Sequence, residues 1–459
     1  MQQQLPKRYG LFTAICMVVG IVIGSGVFFK AQDILRYTGG NMLLGTAAWL
    51  IGGAVMLVCA LNFATLAQKH ERVNGVIDYA QATLGDRFAY FLAWFMCTIY
   101  YPSMTAVLAW VSARYTLVLF GNYDAKGGLC LALAGLILCA SYALNTLSPT
   151  LTAKWQISST AIKLVPLILL ALVGIVMGIF NGNTANAFLN NSGTTAAGGL
   201  FSATSAAIFA YEGWIIATTI NAELKNARRN LPIALTLGSV VCISVYVFYF
   251  IGLVGEVPVE VLMTEGTSAA FYRMFGRGGG YVLNAFVAVS CLGTLNGLML
   301  GATRGIYSIA SRGEGPMPPL FSRIDEKTKM PMHSAVFGLL LSALWLFYYY
   351  GATVSDSFFS LLSFDGSELP ILSIYGFYLP IFVWLAIREY KAKQYRKMLL
   401  PCLGIPATLL MLFVLCFAHG YAPLREGMDE GQFICPMLTY GAVFSAVMAL
   451  GALFYRKKK

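Results

Sequence analysis

Residues Gly20 to Phe28 read G-I-V-I-G-S-G-V-F. They lie inside the first long apolar segment, roughly Tyr9 to Phe29, which is long enough to cross a bilayer as a helix. Its middle carries Gly24-Ser25-Gly26, a poor helix interior, because each glycine costs about 1 kcal/mol against alanine there. At membrane depth a broken helix is tolerated only where the freed N–H and C=O groups line a cavity or bind something. The competing reading is close packing through small residues, for which Gly20 and Gly24 have the GxxxG spacing. A second interrupted helix at the matching place in the other half of the chain decides for the break.

Composition supplies the setting. Hydrophobic residues make up 58% of the 459 and charged residues 11%, with a mean hydropathy of +0.70. The chain therefore reads as an all-α, polytopic membrane protein. Its apolar runs are too long and uniform for the alternating strands of a β-barrel. Lys7 and Arg8 precede an apolar run, but that run exceeds the apolar core of a cleaved signal peptide and reads as the first span. The ten cysteines are scattered with no C-x-x-C pair, and read as small hydrophobes. His70, His333 and His419 lie near segment ends, so no metal, cofactor or catalytic triad is expected.

Twelve spans are expected, at roughly 9–30, 42–67, 88–117, 128–146, 155–180, 199–220, 232–254, 279–309, 333–350, 356–387, 400–419 and 435–455. Short loops make residues 1–459 one integral unit. With both termini in the cytoplasm, 22 of the 31 Lys and Arg residues fall inside and seven outside, leaving Lys163 and Arg304 in or at the end of spans. That asymmetry sets the orientation. It also accounts for the net charge of +11 through anionic lipid rather than nucleic acid.

The second interruption is in span six, F-A-Y-E-G-W at Phe209–Trp214, with Glu212-Gly213 at its centre. Five spans separate the two breaks, and an odd number of helices per half makes the halves face opposite ways. This is the pattern of an inverted repeat with a substrate site at paired breaks. The repeats are expected at about 9–180 and 199–387, with two additional helices at about 400–455.

Two charges stand inside spans. Lys163 lies mid-span in S-S-T-A-I-K-L-V-P, where a lysine costs about 2.5–3.5 kcal/mol. It must face the interior, where it could occupy the place of a sodium ion bracing the broken helix. Glu212 could meet an ammonium, take part in proton coupling, or hydrogen-bond unwound backbone. Asp365 and Glu368, placed in span ten, are weaker candidates. The half-helix starting at Ser25, Gly26 and Val27 offers free N–H groups to a carboxylate. Carbonyls freed near Ile21–Ile23 (Gly24 beside them) and near Phe209, Ala210 and Tyr211 suit an ammonium. An α-amino acid carries both groups; small amines or carboxylates would use half the site.

Six strings carry a resemblance: G-S-G-V-F (Gly24–Phe28), A-I-K-L (Ala161–Leu164), F-A-Y-E-G-W (Phe209–Trp214), E-L-K-N-A-R-R-N-L-P (Glu223–Pro232), G-T-L-N-G (Gly293–Gly297) and T-R-G-I-Y-S-I-A-S-R-G-E-G-P-M-P (Thr303–Pro318). Through them the chain resembles the amino acid–polyamine–organocation superfamily, most closely its L-type amino acid transporter branch, in a prokaryotic-looking form. The resemblance covers spans one to eight by motif and the rest by hydropathy. It implies a 5+5 inverted-repeat fold with helices 1 and 6 broken, and amino acid transport by alternating access. Ser25 and Gly26 are then expected at the substrate carboxylate, Phe209 as an aromatic gate with Trp214 beside it, and Lys163 as the charge that makes transport sodium-independent. Gly213 belongs to the same unwound segment.

There are departures. The family often has Gly-Gly-Trp-Asn where this chain has Glu212, Gly213, Trp214 and Ile215, so side-chain selectivity does not carry over. Span two lacks the family's acid, reading Phe63-Ala64-Thr65-Leu66. Cys130 falls at the start of span four rather than in a loop, so no covalent heavy-chain partner is expected. The apolar neighbours of the breaks favour small neutral amino acids, probed as alanine, serine or cysteine, moved by exchange in the cell membrane. Proton symport, cationic amino acids or polyamines, and a non-transporting sensor are the alternatives. Nothing in the chain resembles enzyme machinery.

Overall fold

In the computed structural model, described for residues 7–69, 75–121, 127–189, 198–354, 363–421, 424 and 435–455, the described residues form helices and no named strand. Eleven helices are long and apolar enough to cross a membrane, and a bent pair, Leu11–Val22 and Gly26–Tyr37, makes a twelfth span. Spans two to five are Met42–Lys69, Asp86–Leu119, Gly128–Leu147 and Pro149–Phe180. Spans six to nine are Gly199–Asn221, Ala227–Glu256, Gly279–Ala310 and Met332–Ala352. The last three are Leu369–Lys391, Tyr395–Tyr421 and Pro436–Phe454.

Span one breaks where the glycines stand. The inner half ends at Val22, the outer half begins at Gly26, and the two are bent by 42°. The outer half runs past Phe29 to Tyr37 because Val27, Phe28, Ala31, Ile34 and Leu35 bury one helical stripe. Lys30, expected at the end of span one, and Arg36, expected outside it, are thus both inside this helix. Span six ends its α-helix at Ala210, turns through Tyr211–Gly213, and continues as a 3₁₀-helix, Trp214–Glu223. Gly213 makes that turn at φ +102°, a left-handed conformation that favours glycine, and a side chain there would also meet Ile21 Cγ2 at 2.8 Å.

Span ten starts at Leu369, later than the sequence suggests. Asp365 Oδ1 accepts the backbone N–H groups of Ser367 and Glu368 and the Ser367 hydroxyl, an Asx-type turn that delays the helix until Pro370 can occupy its first turn. Asp365 and Glu368 therefore precede span ten instead of lying within it. The chain 356–362, also assigned to this span, is outside the described residues. Cys130 sits in the helix of span four, buried, with its thiol on the Trp110 carbonyl at 3.9 Å.

The central helices are the drier ones. Spans three, six and eight are about four-fifths buried over their apolar windows, whereas span twelve is 17% buried and presents its sides to lipid. The interrupted helices thus stand inside a sleeve of intact ones, the only place where irregular backbone is tolerated at this depth.

Gly213→Ala is expected to destabilise the protein by about 1–3 kcal/mol, the cost of a non-glycine residue held in that region. A lowered melting temperature in detergent checks it.

Candidate functional site

Breaking span one strands carbonyls, and four side chains from other spans collect them. Lys163 Nζ donates to the carbonyls of Gly20 at 2.7 Å and Ile23 at 2.6 Å, with Ser290 O at 3.2 Å and Thr294 Oγ1 at 3.4 Å. It is fully buried. Its charge faces the negative end of the half-helix Leu11–Val22, and it is the cation that this terminus calls for. From span eight, Ser290 Oγ reaches the carbonyls of Ile23 at 3.2 Å and Gly24 at 3.0 Å, and Thr294 Oγ1 reaches those of Gly20 and Ile23 at 3.2 Å. From span seven, the Tyr246 hydroxyl lies 3.0 Å from Val22 O and 2.9 Å from Ala210 O, touching both interrupted helices at once.

The opposite terminus is left open. No side chain caps the outer half-helix that begins at Gly26, so its first N–H groups and its positive dipole end are available to an anion. Gly26 is required by proximity: a Cβ there would stand 2.9 Å from Ala210 Cα. The two breaks thus meet backbone to backbone.

Between them lies a narrow cavity. Ile21, Val22, Gly24, Ser25 and Gly26 line it from span one, and Phe209, Ala210, Glu212 and Gly213 from span six. Met104, Val107 and Leu108 of span three and Thr294 and Leu298 of span eight close the sides, with Ser367 at the rim. The wall is mostly apolar with few polar groups, the usual make-up of a small-molecule site.

The residues singled out from sequence divide in two. Gly24, Ser25, Gly26, Phe209, Ala210, Glu212 and Gly213 line the cavity. Ile23, Val27, Tyr211 and Trp214 stand behind the wall. The Ile23 carbonyl is taken by Lys163, Ser290 and Thr294, and Val27 is buried. Tyr211 packs edge-on against Trp49 and tilted on Tyr246. Trp214 packs on Phe63 and Tyr378, on the Tyr9 side of the cavity. Lys163 reaches the break from behind, so the carbonyls near Ile23 serve its ammonium and not a ligand's. Tyr246, Ser290 and Thr294 were not singled out. The last two were findable as hydroxyls at i and i+4 on one face of an apolar helix; Tyr246 was one aromatic among many.

Glu212 is buried, with Oε1 accepting the Tyr100 hydroxyl at 2.7 Å and the Tyr375 hydroxyl and the Gly213 N–H also placed toward the carboxylate. A carboxylate so dry and without a cation beside it is costly.

Ion pairs stand on either side of the cavity. On the Ser367 side, Lys30 pairs with Glu368 at 2.7 Å. On the Tyr9 side, Arg304 pairs with Glu223, both buried, and donates to Thr219 O at 3.2 Å. The Glu223 carbonyl accepts the N–H groups of Arg8 and Tyr9 at 2.8 and 3.0 Å, and Lys225 N–H returns to Tyr9 O at 2.9 Å. Arg312 pairs with Asp78 nearby.

Comparison with known proteins follows the same outline. Residues 9–429 match the amino acid permease family. The serine/threonine exchanger SteT of Bacillus subtilis is 27% identical over 418 residues, covering 90% of this chain and 91% of that protein. The b(0,+)-type amino acid transporter 1 of Rattus norvegicus is 30% identical over 351 residues, covering 74% and 70%. The human cystine/glutamate transporter is 26% identical over 435 residues, covering 93% and 83%. The crystal structure of MhsT in complex with L-phenylalanine superposes with a TM-score of 0.60 at 13% identity, over 91% of this chain and all of that one, a likeness of fold.

Gly26→Val is expected to abolish binding of any ligand seated on the outer half-helix. A loss of at least about tenfold in affinity, the scale of one or two strong hydrogen bonds, is the expected reading in a direct binding assay. Unchanged affinity would remove the N–H groups from the site.

Proposed function

Because this chain belongs to the amino acid permease family, an amino acid transporter family and not an enzyme family, we propose that it exchanges small neutral L-amino acids across the cell membrane without sodium. The observation that carries this reading is Lys163. Its ammonium holds the Gly20 and Ile23 carbonyls, a place that a bound sodium ion would otherwise fill. A covalently tethered cation neither arrives with substrate nor leaves with it, so it provides no coupling to an ion gradient.

The substrate carboxylate is assigned to the N–H groups at Ser25–Val27. The ammonium is assigned to carbonyls of the span-six break, with Phe209 covering both. The apolar side wall of Met104, Val107, Leu108 and Leu298 favours an uncharged side chain. The serine/threonine exchanger named above is in keeping with this size class. Access alternates as the Lys30–Glu368 side and the Arg304–Glu223 side open in turn. The inverted repeats at about 9–180 and 199–387 supply the symmetry. The Tyr9 face, with both termini, is assigned to the cytoplasm on the basic-residue asymmetry, and no covalent heavy chain is invoked, Cys130 being buried in a helix.

Glu212 supports a second reading. It lines the cavity as a buried carboxyl group, which suits a cationic amino acid or polyamine, or a transported proton.

Counterflow of labelled L-serine and L-alanine into sodium-free liposomes is the test. Uptake only with unlabelled amino acid inside is the expected result; uptake into empty liposomes under an inward proton gradient would replace exchange with symport. Lys163→Ala is expected to lower counterflow by at least about tenfold while the protein stays folded, since the carbonyls of the break lose their only charged donor. In Glu212→Gln, an unchanged ratio of arginine to alanine uptake is expected for the neutral reading. A fall in arginine uptake alone would favour the cationic one.

A further inference from the structure

The roof of the cavity is Phe209, and a cation lies over it. Lys30 Nζ is 5.0 Å from the centre of the Phe209 ring and 2.7 Å from Glu368 Oε1. The same carboxylate is shared. His419 of span eleven meets Oε2 at 2.8 Å, and Ser205 of span six stands 3.5 Å from it. Glu368 therefore ties together the outer half of span one, the outer half of span six, the segment leading into span ten, and span eleven. Its side chain is 8% exposed, too dry to be a solvated surface pair.

We infer that Glu368 is the positioning residue of the outer closure: through Lys30 it holds the Phe209 ring over the cavity, and His419 makes the strength of that hold depend on external protons. This rests on the transport reading above. A neutral imidazole N–H bonded to Glu368 is assisted by the carboxylate's charge alone, whereas a protonated one adds an opposite charge of its own and strengthens the bond. Among the described residues, the other charged or titratable groups facing His419 are few. Asp365 is engaged by the N–H groups of its own turn, Lys30 is on the far oxygen of Glu368, and Asp33 is 3.8 Å from Lys30. The Cys435 thiol lies on the His419 carbonyl at 3.7 Å. Acidification outside thus tightens the closure and slows opening.

The test reads accessibility of the cavity. A Ser25→Cys variant in liposomes is treated from outside with a membrane-impermeant methanethiosulfonate, and the rate is taken above that of the protein without the new thiol. Adding Glu368→Gln is expected to raise the rate about tenfold, the scale of one charge-assisted bond. Lys30→Gln, which keeps the carboxylate, should act in the same direction and covers a Glu368 variant that does not fold. Lowering external pH from about 8 to about 6, across the ordinary imidazole range, should slow modification more than in a His419→Gln background. The ratio of the two backgrounds at each pH cancels the thiol's own titration. Unchanged rates in both charge variants would overturn the anchor, and a ratio flat with pH would overturn the part given to His419. Counterflow on the protein with Ser25 intact is measured in parallel. Its absence would remove the transport reading while the labelling still decides the anchor.

Discussion

One ammonium group carries the centre of this molecule. Interrupting a helix in a membrane leaves carbonyls that have no water to turn to, each costing several kcal/mol if unpaired. Burying a lysine is costly for the same reason. Lys163 and the break of span one answer each other: the carbonyls of Gly20 and Ile23 solvate the charge, and the charge satisfies the carbonyls. Each lowers the cost of the other in this position, and the Ser290 and Thr294 hydroxyls share the same carbonyls. With the negative end of the inner half-helix so occupied, the positive end of the outer half is left facing the cavity.

The polar chemistry of the site is therefore mostly backbone chemistry. Ser290, Thr294 and Tyr246 contribute hydroxyls, but they act on span one and span six, not on the space between them. Side chains that do face the space are largely apolar, Glu212 excepted. On the proposed reading, helix ends recognise the backbone common to amino acids and an apolar wall meets the variable part, which is in keeping with the varied substrates in the relatives' names, serine and threonine in one and cystine and glutamate in another.

Much of this was legible in the sequence. Apolar runs gave the spans, the glycines of Gly24–Gly26 and the Glu212–Gly213 pair gave the breaks, and an isolated mid-span lysine could only point inward. What was not legible depended on geometry that hydropathy does not encode. Span ten starts late because Asp365 captures its own backbone, a local competition invisible to an apolar count. Lys30 looked like the end of a span because the break hid a second half-helix behind it. Beyond the break, span six continues as a 3₁₀-helix, whose residues turn by about 120° instead of 100°. Trp214, set by the left-handed turn at Gly213 just before it, packs on Phe63 and Tyr378 and not on the cavity wall.

The Tyr246 hydroxyl has one proton and two carbonyls within reach, Val22 on one interrupted helix and Ala210 on the other. It can satisfy either fully, and passing the proton's attention from one to the other forfeits no hydrogen bond. A contact of that kind fixes the separation of two surfaces without fixing their angle. It works as a bearing and not as a bolt, so the two broken helices can turn against each other in the middle of the membrane without exposing a bare polar atom on the way.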